Sequence, residues 1–188
     1  MKSTGKMEVE LNIKPLSFSL KDKEYEIVDK TREFRDRPVV RAICIDENKN
    51  YLFAHVDRND RFGCLEHLET SGGGIEKDES DEEAIKRELE EELGVKIEIL
   101  AYLGEVRNDY NLLYTTNVNH YYLVRKIGEC PRHLTEGEKH HLHLEKIVLD
   151  YESVKTSYLN MRKHRLGRML YDKEMPFIEL ANSIVNKL

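Results

Sequence analysis

Cysteine is scarce: Cys44, Cys64 and Cys130 are the only three in 188 residues. Their number is odd, they lie far apart and no Cys-x-x-Cys pair occurs, which excludes a paired-thiol zinc or redox motif. Three free thiols in a reducing cytoplasm are the expectation. No long apolar run exists either. The best, Val39 to Ile45, is broken by Arg41, far short of the ~20 residues of a membrane span. Met1 to Glu10 carries Lys2, Lys6, Glu8 and Glu10 and no apolar stretch, so a secretory leader is not expected. Ten glycines and four prolines are too few for a collagen-like or low-complexity chain. Basic charge is also in deficit, with 30 Lys and Arg against 36 Asp and Glu and a net charge of −6. A general nucleic-acid binder needs a basic face to displace counterions, so that class is disfavoured. A nucleotide substrate stays open, because metal ions can meet its phosphates.

What is present supports one core. The length fits a single domain with an extension, and 39% apolar residues suffice if the charges stay outside. Leu16 to Leu20 alternates with period two and predicts a strand, with Tyr25 to Val28 as its hairpin partner. Pro38 to Ile45 reads as a buried strand, Asp46 to Asn50 as a turn and Tyr51 to Val56 as the returning strand. A polar loop follows over 57–61, then an extended segment from Leu65 to Thr70 and the run Ser71-Gly72-Gly73-Gly74. Residues 80–93 form the clearest helix. Ser80 with Glu83 is a capping box, Ile85, Leu89 and Leu93 make its apolar stripe, and Gly94 stands where a left-handed stop belongs. Strands are expected over Val95–Leu103, His120–Val124 and Ile147–Leu149, with helices from about Tyr151 and over Pro176–Leu188. Interspersed strands and helices give an α/β class, with a mixed sheet between helices.

Several motifs carry less than they suggest. Asp46-x-Asn48-x-Asn50 begins like a calcium loop, but Tyr51 stands where the sharp turn needs glycine and Asp57 where the bidentate Glu belongs. The triple glycine lacks the Gly-Lys-Ser/Thr of a phosphate loop, and Lys77 stands where a dinucleotide fingerprint needs its third glycine. His140, His141 and His143 beside Glu138 read as a solvated or half-buried loop rather than a metal cluster. Arg162, Lys163, His164, Arg165 and Arg168 read as a solvated helix face.

The helix charges are different. On a wheel of about 100° per residue with Glu88 at the origin, Glu92 falls near 40° and Glu91 near 300°. Glu90 and Glu83 fall on the opposite side. The three carboxylates therefore lie beside the apolar stripe, where water is scarcer. Two such charges ~5–6 Å apart at an effective dielectric of ~20 repel by about 3 kcal/mol. Arg87 can offset one of them. A hard divalent cation would offset all three, and oxygen-only ligands suit Mg²⁺ or Mn²⁺. On charge alone, a solvated acidic helix is the competing reading.

The spacing decides between them. Gly73 is followed by five residues, Glu79, seven residues, and then Arg87-Glu88-Leu89-Glu90-Glu91-Glu92-Leu93-Gly94-Val95. This run, 73–95, resembles the box of the Nudix hydrolase (MutT-like) family at every defined position. Arg37 to Ile43 resembles the family's first core strand, Tyr51 to Ala54 its second, and Leu149 to Val154 the strand-to-helix turn near the domain's end. Ser71 stands where the family often has proline. The resemblance implies a Nudix-type α/β/α sandwich over 37–188, behind an extension over 1–36. It implies hydrolysis of a nucleoside diphosphate linked to another group, with Mg²⁺ or Mn²⁺. Glu88, Glu91 and Glu92 would hold the metal, Arg87 would orient one of them, Gly73 would lend its carbonyl, and Glu79 would support the site. The general base is either a box glutamate or one of Glu136 and Glu138. Tyr110 and Tyr114 are substrate candidates for stacking on a base, as are Phe62 and Tyr122. The resemblance leaves the nucleotide derivative unassigned. Two alternatives belong to the same fold: a module that senses a nucleotide without cleaving it, and isopentenyl-diphosphate isomerase-like chemistry using Cys44 or Cys64. Family members with such extensions imply a homodimer, with 1–36 at its interface.

Overall fold

The computed structural model describes residues 13–188, so Met1–Glu10, where a secretory leader is not expected, lies outside the described residues. The elements run β1 (Leu16–Leu20), β2 (Arg35–Ile45), β3 (Tyr51–Asp60), β4 (Gly63–Glu69), α1 (Asp81–Leu93), β5 (Val95–Tyr110), β6 (Thr115–Glu129), α2 (Glu136–His140), β7 (Glu145–Leu149), α3 (Tyr151–Met161) and α4 (Arg165–Val185). All seven strands join one mixed sheet in the order β1-β5-β6-β2-β3-β4, with β7 on β3. Helix α1 covers one face and α3 with α4 the other, which is the expected α/β/α sandwich.

Strand β2 shows why the apolar run there is continuous. Val40, Ala42 and Cys44 pack towards α1, while Ile43 and Ile45 pack towards α3 and α4. Both faces are buried, so no polar alternation is needed. At the following turn, Asp46 Oδ1 accepts the N–H groups of Asn48 and Asn50, each at 2.8 Å. The Asp-x-Asn-x-Asn pattern is thus a hairpin turn. His140 ends α2 rather than lying in a loop, and it, His141 and His143 are all exposed.

Three expectations need correction. Leu16–Leu20 has no hairpin partner at Tyr25–Val28. It pairs in parallel with β5, from Leu16 opposite Gly104 to Leu20 opposite Asn108. Gly104, at φ 129°, permits this, because a Cβ there would run into the Leu16 backbone. Residues 22–25 instead turn back, with the Glu24 and Tyr25 N–H groups donating to Asp22 Oδ1 at 3.0 Å each. Residues 57–60 are strand rather than loop, since β3 and β4 pair out to Asp60 opposite Gly63. Glu136 and Glu138 lie in the first turn of α2, which Thr135 caps. The last helix begins at Arg165 and runs through Pro176. Its buried stripe of Leu166, Leu170, Phe177, Ile178, Ala181 and Ile184 carries it past the one backbone donor that proline lacks.

Candidate active site

The capping box sets where α1 begins. Ser80 Oγ accepts from the Glu83 N–H at 3.3 Å and Glu83 Oε2 accepts from the Ser80 N–H at 2.9 Å. Gly94, left-handed at φ 65°, ends the helix. Between these ends Ile85, Leu89 and Leu93 are fully buried against the sheet. That rotation brings Glu88 and Glu92 against the glycine run, at 8% and 9% exposure. Glu91 stays at the rim and Glu90 faces solvent.

The glycine run lies along β2. Ala42 N–H donates to Ser71 O at 2.8 Å and Val40 N–H to Gly73 O at 3.0 Å. Gly72 N–H donates to Glu92 Oε2 at 3.0 Å. Gly73 lies so close to α1 that a Cβ would collide with the Glu88 carboxylate. A side chain at this position would have to push the Glu88 carboxylate aside.

Arg87 holds more than the one carboxylate expected of it. Its guanidinium grips Glu79 with two hydrogen bonds of 2.8 and 2.9 Å, and donates to Glu88 at 2.8 Å and Glu91 at 3.2 Å. It also donates to the Gly74 carbonyl at 3.0 Å. The five-donor planar fork makes this many contacts available to one side chain. Glu79 is held below its ordinary range by the Arg87 hydrogen bonds. Burial raises Glu88 against the pull of Arg87, and burial pushes Glu92 up to about 8. The Arg41 charge and the hydrogen bonds to Glu92 favour its ionised form but do not outweigh that burial.

A family model for the NUDIX domain matches residues 35–165. The chain belongs to the NUDIX family. Among solved structures, a NUDIX hydrolase from Nitrosomonas europaea superposes with a TM-score of 0.61 at 17% identity, over 79% of this chain and 90% of that one. A MutT protein from Methanosarcina mazei Go1 gives 0.52 at 19% identity, over 76% and 97%. These likenesses concern the fold. No curated protein is significantly similar in sequence. NUDIX membership implies pyrophosphate hydrolysis of nucleotide derivatives in general terms, with divalent cations as the usual requirement.

The NUDIX helix and glycine run form one wall of a cleft of about 260 Å³. Arg37, Arg41 and Glu69 line it from β2 and β4, and Ala54, Val56, Leu142 and Leu144 supply an apolar side. The three polar residues went unsuggested as site residues by the sequence, where Arg41 only broke an apolar run and Arg37 only opened the stretch resembling the family's first core strand. Glu138 lines the same cleft from the start of α2, with Oε2 accepting from the Thr135 N–H at 2.7 Å. Glu136 lies elsewhere, near Lys139 at 3.5 Å and His140 at 3.3 Å.

The tyrosines are not brought to this cleft. Tyr110 is buried in the core on the α4 side, edge-on to Phe62. Tyr114 is buried too, its hydroxyl accepting from the Asp29 N–H at 2.6 Å. Tyr122 donates to Asp81 Oδ2 at 2.8 Å. Cys44 is buried and Cys64 exposed, and neither lines the cleft.

The residues fit a hard divalent cation by chemistry. Glu88 and Glu92 are buried oxygen donors, Glu91 adjoins them, and the Gly73 carbonyl, with one hydrogen bond from Val40, keeps a second lone pair. As the side chains stand, no three acidic, imidazole or thiol groups among the described residues converge on one point. Arg87 takes up Glu88 and Glu91 instead, so binding a cation exchanges part of that grip.

Proposed function

We propose that the protein hydrolyses the pyrophosphate bond of a nucleoside diphosphate linked to another group, with Mg²⁺ or Mn²⁺ held by Glu88, Glu91, Glu92 and the Gly73 carbonyl. The observation that carries this reading is the burial of Glu88 and Glu92 side by side against the glycine run. A solvated acidic helix would keep both in water. When bound, the cation neutralises pyrophosphate oxygens and lowers the pKa of a water.

The chain's own groups supply the rest. Gly72 N–H fixes the rotamer of Glu92. Arg87, clamped by Glu79, orients Glu88 and Glu91. Arg37, exposed at the cleft wall without a partner among the described residues, is placed to meet substrate phosphate. Glu138 is our candidate for accepting the proton of the attacking water, because it lines the cleft across from the box and Glu136 does not. Three free thiols support a reducing, cytoplasmic setting.

A panel of nucleoside diphosphate derivatives, assayed with Mg²⁺ and with Mn²⁺, tests the reading. Release of a nucleoside monophosphate that stops in EDTA is expected. Binding of nucleotides without any cleavage across the panel would favour a sensing module.

A further inference from the structure

Lys173 and Glu174 are adjacent on α4, yet they are 1% and 0% exposed. Charged residues are rarely so buried unless a partner requires them. Lys173 Nζ lies 3.0 Å from Glu174 Oε1, 3.9 Å from Glu69 Oε1 and 3.5 Å from the Tyr110 hydroxyl. Glu174 Oε2 accepts from the Tyr158 hydroxyl and from the Thr70 N–H, the latter at 2.9 Å. Arg41 Nη1 donates to Thr70 O at 2.8 Å and pairs with Glu69 at 3.2 Å.

The place of Thr70 explains the arrangement. Glu69 still pairs with Ala54 of β3, whereas Ser71 already bridges to Ala42 of β2. The chain changes strand partner at Thr70, so its N–H and C=O have no ladder to join. A buried backbone donor without an acceptor is costly, and Glu174 supplies the acceptor from across the core. Two residues later Gly72 N–H meets Glu92. Stability alone does not call for charge here, because apolar groups of similar volume commonly replace a buried ion pair without loss.

We propose that Glu174, itself held by Lys173 and Tyr158, is a positioning residue of the active site. It anchors the Thr70 peptide, and the Gly72 N–H is thereby aimed at Glu92. The catalytic consequence rests on the hydrolase reading above; the structural link from Glu174 to Gly72 does not.

Two variants separate this role from a purely structural one. K173M/E174Q removes both buried charges and keeps an oxygen for the Thr70 N–H. Y158F/K173M/E174M fills the same space with apolar groups and removes that oxygen. The readouts are the Gly72 amide resonance in ¹⁵N-labelled protein without metal and the Mn²⁺ dissociation constant by electron paramagnetic resonance. In the triple variant the Gly72 resonance is expected to move, and Mn²⁺ to bind about tenfold more weakly, as for lost supports of metal ligands. In K173M/E174Q both stay near the parent values. A folded triple variant with the parent Gly72 resonance would overturn the proposal. So would K173M/E174Q behaving like the triple variant, or a triple variant unable to fold, which would make the buried polar group a requirement of the core. Parent protein that takes up no Mn²⁺ would refute the hydrolase reading instead, and the Gly72 resonance would still decide this one.

Discussion

Gly72 donates its N–H to Oε2 of Glu92 at 3.0 Å, joining the glycine run to the helix that carries the carboxylates. This hydrogen bond, the Ser71 side chain and the Arg41 charge all favour the ionised carboxylate, yet together they do not offset the burial that raises this carboxyl to about 8.

That burial gives the metal-free protein a defined pH dependence. Unfolded, Glu92 titrates near its ordinary value of 4.5; folded, near 8. Between those values the folded state keeps a proton that the unfolded state has lost. Unfolding then releases a proton, so stability in EDTA falls as pH rises through this window and levels off above it. Mn²⁺ needs the ionised carboxylate, so its affinity rises with pH until about 8 and then flattens. Melting in EDTA and calorimetric Mn²⁺ titrations from pH 5 to 9 check both trends. Glu92→Gln should flatten the first and weaken the binding.

Activity should follow the inner carboxylates and not the helix charge as a whole. Glu92→Gln or Glu91→Gln is expected to lower turnover by orders of magnitude, since transition-state charge stabilised by a metal is worth several kcal/mol. Glu90→Gln, on the solvent side, should be nearly silent. Equal damage from Glu90→Gln and Glu92→Gln in steady-state assays would show the site to be misplaced.

Metal should stabilise the fold through these residues. A cation at ten times its dissociation constant adds about 1.4 kcal/mol, a melting shift of roughly 3–6 °C at this size. Glu91→Gln should shrink the shift. Gly73→Ala should nearly abolish it, because the new Cβ displaces the Glu88 carboxylate. Identical melting curves in EDTA and in millimolar Mn²⁺ would count against the site.

The N-terminal segment has a use within its own sheet. β1 covers the edge of β5, the longest strand, and an uncovered edge invites pairing with another chain. Deleting residues 1–36 should cause aggregation or a change of oligomeric state in light scattering. We expect the intact protein to be a homodimer with this segment at the interface. A monomer at tens of micromolar would refute the dimer, and a truncated dimer would put the contact elsewhere.

The sequence by itself determined the parts of this protein whose signals are local. The Ser80–Glu83 capping box, the four-residue recurrence of Ile85, Leu89 and Leu93, and the Gly94 stop are all contained within 15 residues. They orient Glu88 and Glu92 before any tertiary contact is known, because helix geometry alone assigns each residue its side. The doubly buried run of β2 was legible for the same reason. Tertiary structure decided what depends on residues far apart. Nothing near Leu16 encodes its partner Gly104, and nothing near Tyr110 or Tyr114 distinguishes a base-stacking ring from a buried one. Lys173 and Glu174 drew no reading from the sequence, which started the last helix only at Pro176. Their burial follows from an orphaned N–H at Thr70, about a hundred residues earlier in the chain, where the backbone changes strand partner and needs an acceptor that only the folded core brings within reach.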